Sequence, residues 1–153
     1  MPFDKYVIVI NSTSYYQRFT NVNDQTYLFN NTNIPDGNYK CRWSYRSSLE
    51  NTAAPNVFPT IYLQTQTTQQ AFSANSTGGN TPSYCLGSAR QSINTTSSTS
   101  YYFAGPQDNT NFYWSYRPGY EIRVTLRSGI SLTNLYAGSS EYILMIEMEK
   151  VGN

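Results

Sequence analysis

An all-β fold is what this sequence predicts, and three observations predict it. Several windows alternate bulky and polar residues with period two, whereas none carries a helical stripe of period 3.6. Those windows are bounded by Gly, Pro, Asn or Asp, the residues that permit or force a reversal of the chain. The 153 residues include 15 tyrosines, and aromatic and β-branched side chains suit a pleated, half-buried surface.

The elements follow in order. Tyr6 to Ile10 is a continuous apolar run and reads as a first strand; a second begins at Tyr15 in "YYQRFTN", and a short third covers Tyr27 to Phe29. Pro35 and the Asp36-Gly37 pair then turn the chain, because Gly takes the positive φ that a tight reversal needs. The next strand sends Tyr39, Cys41, Trp43 and Tyr45 to one face and Lys40, Arg42, Ser44 and Arg46 to the other, since successive side chains alternate across a strand. One face is core and the other is wet.

Ile61 to Gln64 reads as a strand behind Pro55 and Pro59, which suit a loop or a sheet edge. Gln64 to Pro82 is nearly devoid of bulky apolar residues and reads as a long exposed loop or a polar edge strand. A brief strand at Tyr84 to Leu86 is ended by Gly87, and a second polar loop, Ser88 to Ser100, leads into a strand at Tyr101 to Ala104. Asn111 to Tyr116 sends Phe112, Trp114 and Tyr116 to one side and stops at Arg117-Pro118-Gly119, where Pro lacks a donor and Gly permits reversal. Tyr120, Ile122, Val124 and Leu126 then line one face against Glu121, Arg123, Thr125 and Arg127. The last strand, in "EYILMIEMEK", begins apolar on both faces and ends with Glu147 and Glu149 outward against Ile146 and Met148. That pattern predicts a strand that starts deep in a sheet and finishes at its rim.

A chain of this length fits one domain, residues 1–153, with a core that needs no metal or disulfide. Only 12% of residues are charged and the net charge is +1, so the electrostatic footprint of a nucleic-acid binder is missing. Ser, Thr, Asn and Gln keep the surface polar, and tyrosine adds rigid contact area with a polar tip. The first apolar run is far short of a signal-peptide core or of the roughly 20 residues of a membrane span. The Asn-x-Ser/Thr sequons at Asn11, Asn30, Asn75 and Asn94 are about as many as chance supplies in such a composition.

Catalysis finds little to work with. Histidine is absent, which removes the Ser-His-Asp and Cys-His arrangements and the commonest neutral-pH base. Glu147 and Glu149 share a strand face but read as a solvated strand end rather than a glycosidase pair. Cys41 and Cys85 are expected to be reduced and buried, and two thiols without histidine do not complete a zinc site. No glycine motif of the phosphate-cradling kind occurs. The expectation is a non-enzyme without cofactor or metal.

Eight to ten short strands joined by long polar crossovers predict a sandwich or barrel. A single jelly-roll sandwich, about eight strands in two antiparallel sheets, fits the length and the uneven loops. An immunoglobulin-like sandwich fits less well, because Cys41 lies on the same strand as Trp43. The succession of "IP-x-G-x-Y" (Ile34, Pro35, Gly37, Tyr39), "RPGYEIRVTL" (Arg117 to Leu126) and "EYILMIEME" (Glu141 to Glu149) resembles the single jelly-roll capsid proteins of large icosahedral nucleocytoplasmic DNA viruses, which include pentons and minor capsid proteins. The resemblance covers the chain from about Ile34 onward. It implies a structural virion protein, pentameric at the vertices or a smaller lattice component, assembled in host cytoplasm. Its implied partners are copies of itself and the major and minor capsid proteins, with neither nucleic acid nor membrane. It assigns no individual site residue.

The alternative is a carbohydrate- or receptor-binding module, since exposed aromatic rings stack on sugars while polar neighbours bond their hydroxyls. Trp114 with Tyr113 or Tyr116, near Asp108 and Asn109, is the candidate contact surface. Core packing is the competing role for Trp114, and the alternation around it favours the core.

Overall fold

The computed structural model describes residues 5–18, 22–28, 33–48, 59–64, 84–93, 101–104, 111–119, 121–128, 135–136 and 141–152. Within them run eleven strands: β1 (Lys5–Asn11), β2 (Gln17–Arg18), β3 (Asp24–Leu28), β4 (Gly37–Ser47), β5 (Pro59–Gln64), β6 (Tyr84–Ser88), β7 (Arg90–Ile93), β8 (Tyr101–Ala104), β9 (Asn111–Tyr116), β10 (Glu121–Ser128) and β11 (Tyr142–Lys150). They form two antiparallel sheets packed as a sandwich. The five-stranded sheet has the order β2-β3-β10-β5-β6. The six-stranded sheet has the order β1-β11-β4-β8-β7, and β9 also lies against β4: it faces Gly37 to Arg42, and β8 meets the same strand at Arg46.

The pairing is nested. β1 pairs with β11, β3 with β10, β4 with β9 and β5 with β6, so the chain outlines one long antiparallel hairpin whose outermost strands are its first and last. Successive pairs of that hairpin fall alternately in the six-stranded and the five-stranded sheet. Two further pairings, β11 with β4 and β10 with β5, join the pairs within each sheet. The two-residue β2 and the β7–β8 hairpin lie outside the nested set.

Period-two alternation delivers the core. Tyr39, Cys41, Trp43 and Tyr45 of β4 are buried, as are Phe112, Trp114 and Tyr116 of β9 and Leu144, Ile146 and Met148 of β11. Ile61 and Leu63 of β5 and Ile122, Val124 and Leu126 of β10 meet them from the other sheet in a single cluster. Burying each aliphatic side chain is worth roughly 1.5–3 kcal/mol. Seven tyrosines (Tyr27, Tyr39, Tyr45, Tyr62, Tyr116, Tyr136 and Tyr142) are buried, and all of them but Tyr62 belong to the core cluster, so much of the tyrosine content builds the interior. Edge-to-face contacts run from Tyr6 to Tyr39, Tyr39 to Tyr116 and Trp114 to Tyr116, with centroids 6.1, 6.2 and 5.2 Å apart, the arrangement that aromatic quadrupoles favour.

Four expectations need correction. Gly37 does not take a positive φ; it is already the first residue of β4 and paired with Tyr116. Gly87 does not end β6, which continues to Ser88; instead the pairing with β5 slips one residue between Ile61 and Tyr62, and Gly87 takes a φ of 142° as a bulge residue. The expected polar loop from Ser88 begins inside β6 and contains β7, a strand without apolar alternation because its four residues, RQSI, are largely polar. The start of β11 is not buried on both faces: Ile143 and Met145 are 43% and 37% exposed. Most of the expected loop Gln64 to Pro82, the end of the other at 94–100, and Tyr120 lie outside the described residues.

Candidate interaction surface

The two sheets differ in their outward faces. On the five-stranded sheet, outward residues Asp24, Thr26, Thr60, Tyr62 and Thr125 are buried almost as fully as the core. There Asp24 takes two hydrogen bonds from Arg123, donated by Nε and Nη2 at 2.8 Å each. The guanidinium pKa is raised, chiefly by the hydrogen bond to Asp24.

On the six-stranded sheet the register sets the outward residues in rows. Val9 of β1 faces Met145 of β11, Val7 faces Glu147, and Asn11 faces Ile143. Val7 and Val9 are 52% and 55% exposed. Together with Ile143 and Met145 they make a contiguous apolar block at the β1 side of the sheet. Across β11 the rows continue to Arg42 opposite Glu147 and Lys40 opposite Glu149. Arg42 Nη2 donates to Glu147 Oε2 at 2.6 Å, an exposed pair of the kind worth at most about 1 kcal/mol. This outward face therefore has an apolar part and a part of mixed charge.

Among the described residues β1 is also the last strand of its sheet. Beside its end, Val9, Ile10 and Asn11 border a surface groove with Tyr15, Tyr16 and Leu28. Tyr16 is 62% exposed and Leu28 46%. Arg18 sits over the Tyr15 ring, 4.5 Å from its centroid, where a cation meets the negative ring face.

The interior holds polar groups, and one of their contacts, Tyr27 with Tyr142, runs between the sheets. Tyr27 donates its hydroxyl to Gln25 Oε1 at 2.6 Å, and its oxygen lies 3.2 Å from the Tyr142 hydroxyl of the opposite sheet. Burial pushes the Tyr27 phenol up to about 12 and that of Tyr142 well above its ordinary value. Tyr142 N–H donates to Ser12 Oγ at 2.9 Å, and Asn23 Nδ2 donates to the Tyr136 carbonyl at 2.6 Å. Cys41 is a free, buried thiol, and desolvation pushes its pKa up to about 12, the opposite of what a reactive thiolate requires. Among the described residues no group of three His, Cys, Asp or Glu side chains is placed to hold a metal ion, and no helix is long and apolar enough to cross a membrane.

The residues singled out for ligand contact are divided by the fold. Tyr113 stands outward on β9 and is 51% exposed, whereas Trp114 and Tyr116 are 3% and 1% exposed and belong to the core. Asp108 and Asn109 lie outside the described residues. The apolar block is not evident from sequence alone, although the alternation in "KYVIVIN" contains it: Val7 and Val9 share one phase of the strand, and Ile8 and Ile10 the other. Comparison with family models, with curated proteins and with solved structures found no match to this chain.

Proposed function

We propose that the chain is a structural subunit of an icosahedral capsid, a single jelly roll that assembles with copies of itself, as the pentamer at the vertices, and performs no catalysis. The observation that carries this reading is the nested pairing of β1 with β11, β3 with β10, β4 with β9 and β5 with β6. A long hairpin wound so that its pairs alternate between two sheets supports the jelly-roll reading, an architecture of viral capsid and of lectin domains. The three capsid-like motifs fall on the entry to β4, on the turn into β10 and on β11, all members of the nested set. An exposed apolar block on one sheet suits a protein that buries surface against neighbours. The other subunits of such a shell are the remaining partners, and the virion, built in host cytoplasm, is the location this reading gives.

Fold alone does not fix function, so the test is assembly. Negative-stain imaging and mass measurement of the purified chain at high concentration should give five-fold rings, and labelled antibody should decorate particle vertices. A strict monomer that binds an oligosaccharide tightly and is absent from particles would replace this reading with a glycan-binding module. Burial of Trp114 and Tyr116 leaves that alternative with Tyr113 as the exposed ring of its proposed trio.

A further inference from the structure

We infer that β1 is a docking edge for a second copy of this chain, the two β1 strands pairing antiparallel about a two-fold axis at Ile8. The inference rests on the reading that the chain assembles with itself; the contact is two-fold, and so is separate from the heterologous interface that closes a five-fold ring.

Among the described residues β1 is the end strand of the six-stranded sheet. An outermost strand presents unpaired N–H and C=O groups along its free side, and proteins blunt such edges with proline, bulges, charged side chains, above all lysine, or a covering segment. β1 contains no proline, and of these charges it carries a lysine only at its first residue. Its seven residues pair with β11 in unbroken register from Lys5 with Glu149 to Asn11 with Ile143, so no bulge interrupts it, and its one charge, Lys5, stands at the strand's beginning. Its outward side chains at mid-strand are valines more than half exposed.

The occupant follows from self-complementarity. Antiparallel pairing about Ile8 sets Val7 opposite Val9 twice on the outward face, Tyr6 opposite Ile10 on the inward face, and Lys5 opposite Asn11 at each end. Every outward residue meets an outward one, as the pleat demands. No like charges face each other, and β-branched side chains directly opposite one another stabilise a strand pair. The two valines of each copy extend the block formed by Ile143 and Met145 across the junction. Tyr15, Tyr16 and Leu28 border a groove with Val9, Ile10 and Asn11 beside the same strand. The result is one continuous sheet spanning both copies.

Sedimentation of the intact chain over a range of concentrations, beside a Val7→Lys/Val9→Lys variant, tests this. The variant sets ammonium groups opposite one another on the outward face, where they are solvated in the monomer. The wild-type chain is expected to show a pairing step beside any five-fold ring, and the variant to keep its melting behaviour while that step weakens about tenfold or disappears. A variant that associates as the wild type does overturns the β1 contact and leaves self-assembly standing. A wild-type chain that is monomeric throughout overturns the assembly reading, and the contact with it. Should the variant not fold, hydrogen exchange of the wild-type chain decides: β1 amides are expected to gain protection as concentration rises, and exchange independent of concentration overturns the contact.

Discussion

Gly87 is where the side-chain-free residue of the bulge meets the largest side chain of the core. A Cβ built on it would lie 3.0 Å from Cζ2 of Trp43, and Trp43 is 1% exposed and hemmed in by both sheets. With its φ of 142°, the position is strained for any other residue. Gly87→Ala is expected to cost about 1–3 kcal/mol from backbone strain alone, more if the ring is displaced, and a urea melt followed by tryptophan fluorescence reads both. Cys41 gives a second test at this scale. Its thiol pKa is raised from 9.0 to about 12 by burial, so above about pH 9 the unfolded chain releases a proton that the folded chain keeps. The stabilisation is therefore complete below pH 9 and is lost as pH rises toward 12. Tyr27 adds the same sign from 10.0 upward. Melts between pH 8 and 11 should show stability falling, and in Cys41→Ala the fall should begin later, nearer the phenol range.

At the scale of the strand, what is legible in the sequence depends on whether burial is one-sided. β10 reads correctly because Ile122, Val124 and Leu126 face the core while polar residues occupy the other phase. Yet Arg123, a wet-face residue by its phase, donates twice to Asp24; that pair depends on the β3–β10 register, which no local pattern encodes. β11 misleads in the opposite direction, since apolar residues on both phases show hydrophobicity but not whether anything covers the outward one. For Trp114, between a ligand face and the core, the alternation with Phe112 and Tyr116 is the signal that points inward. Val124, 0% exposed, tests the register: Val124→Asp buries a carboxylate without a partner and is expected to cost several kcal/mol, of order the whole stability of a marginal domain. Circular dichroism and a thermal melt check it. Asp24→Ala removes the acceptor of both charge-assisted hydrogen bonds from the part-buried guanidinium and should cost about 1–3 kcal/mol, measurable by the same melt.

For the whole molecule, the distribution of polarity determines how assembly should respond to solvent. The chain carries few charges, and those on the open sheet face are of both signs, Lys40 and Arg42 standing beside Glu147 and Glu149. A stable contact buries on the order of 1,600 Å², and the exposed surface best suited to supply it is apolar: Val7, Val9, Ile143 and Met145, with Tyr16 and Leu28 nearby. Association driven by such surface gains from excluded, kosmotropic salts and is little affected by simple screening, which acts on exposed charges and most strongly beyond a Debye length of about 10 Å at 0.1 M. The expected outcome is that sodium chloride leaves the association constant nearly unchanged while sulfate at equal ionic strength raises it. Sedimentation equilibrium in the two salts measures both. A steep loss of association in sodium chloride would instead locate the contact on the charged rows around Arg42 and Glu147, and would point the apolar block toward a different partner.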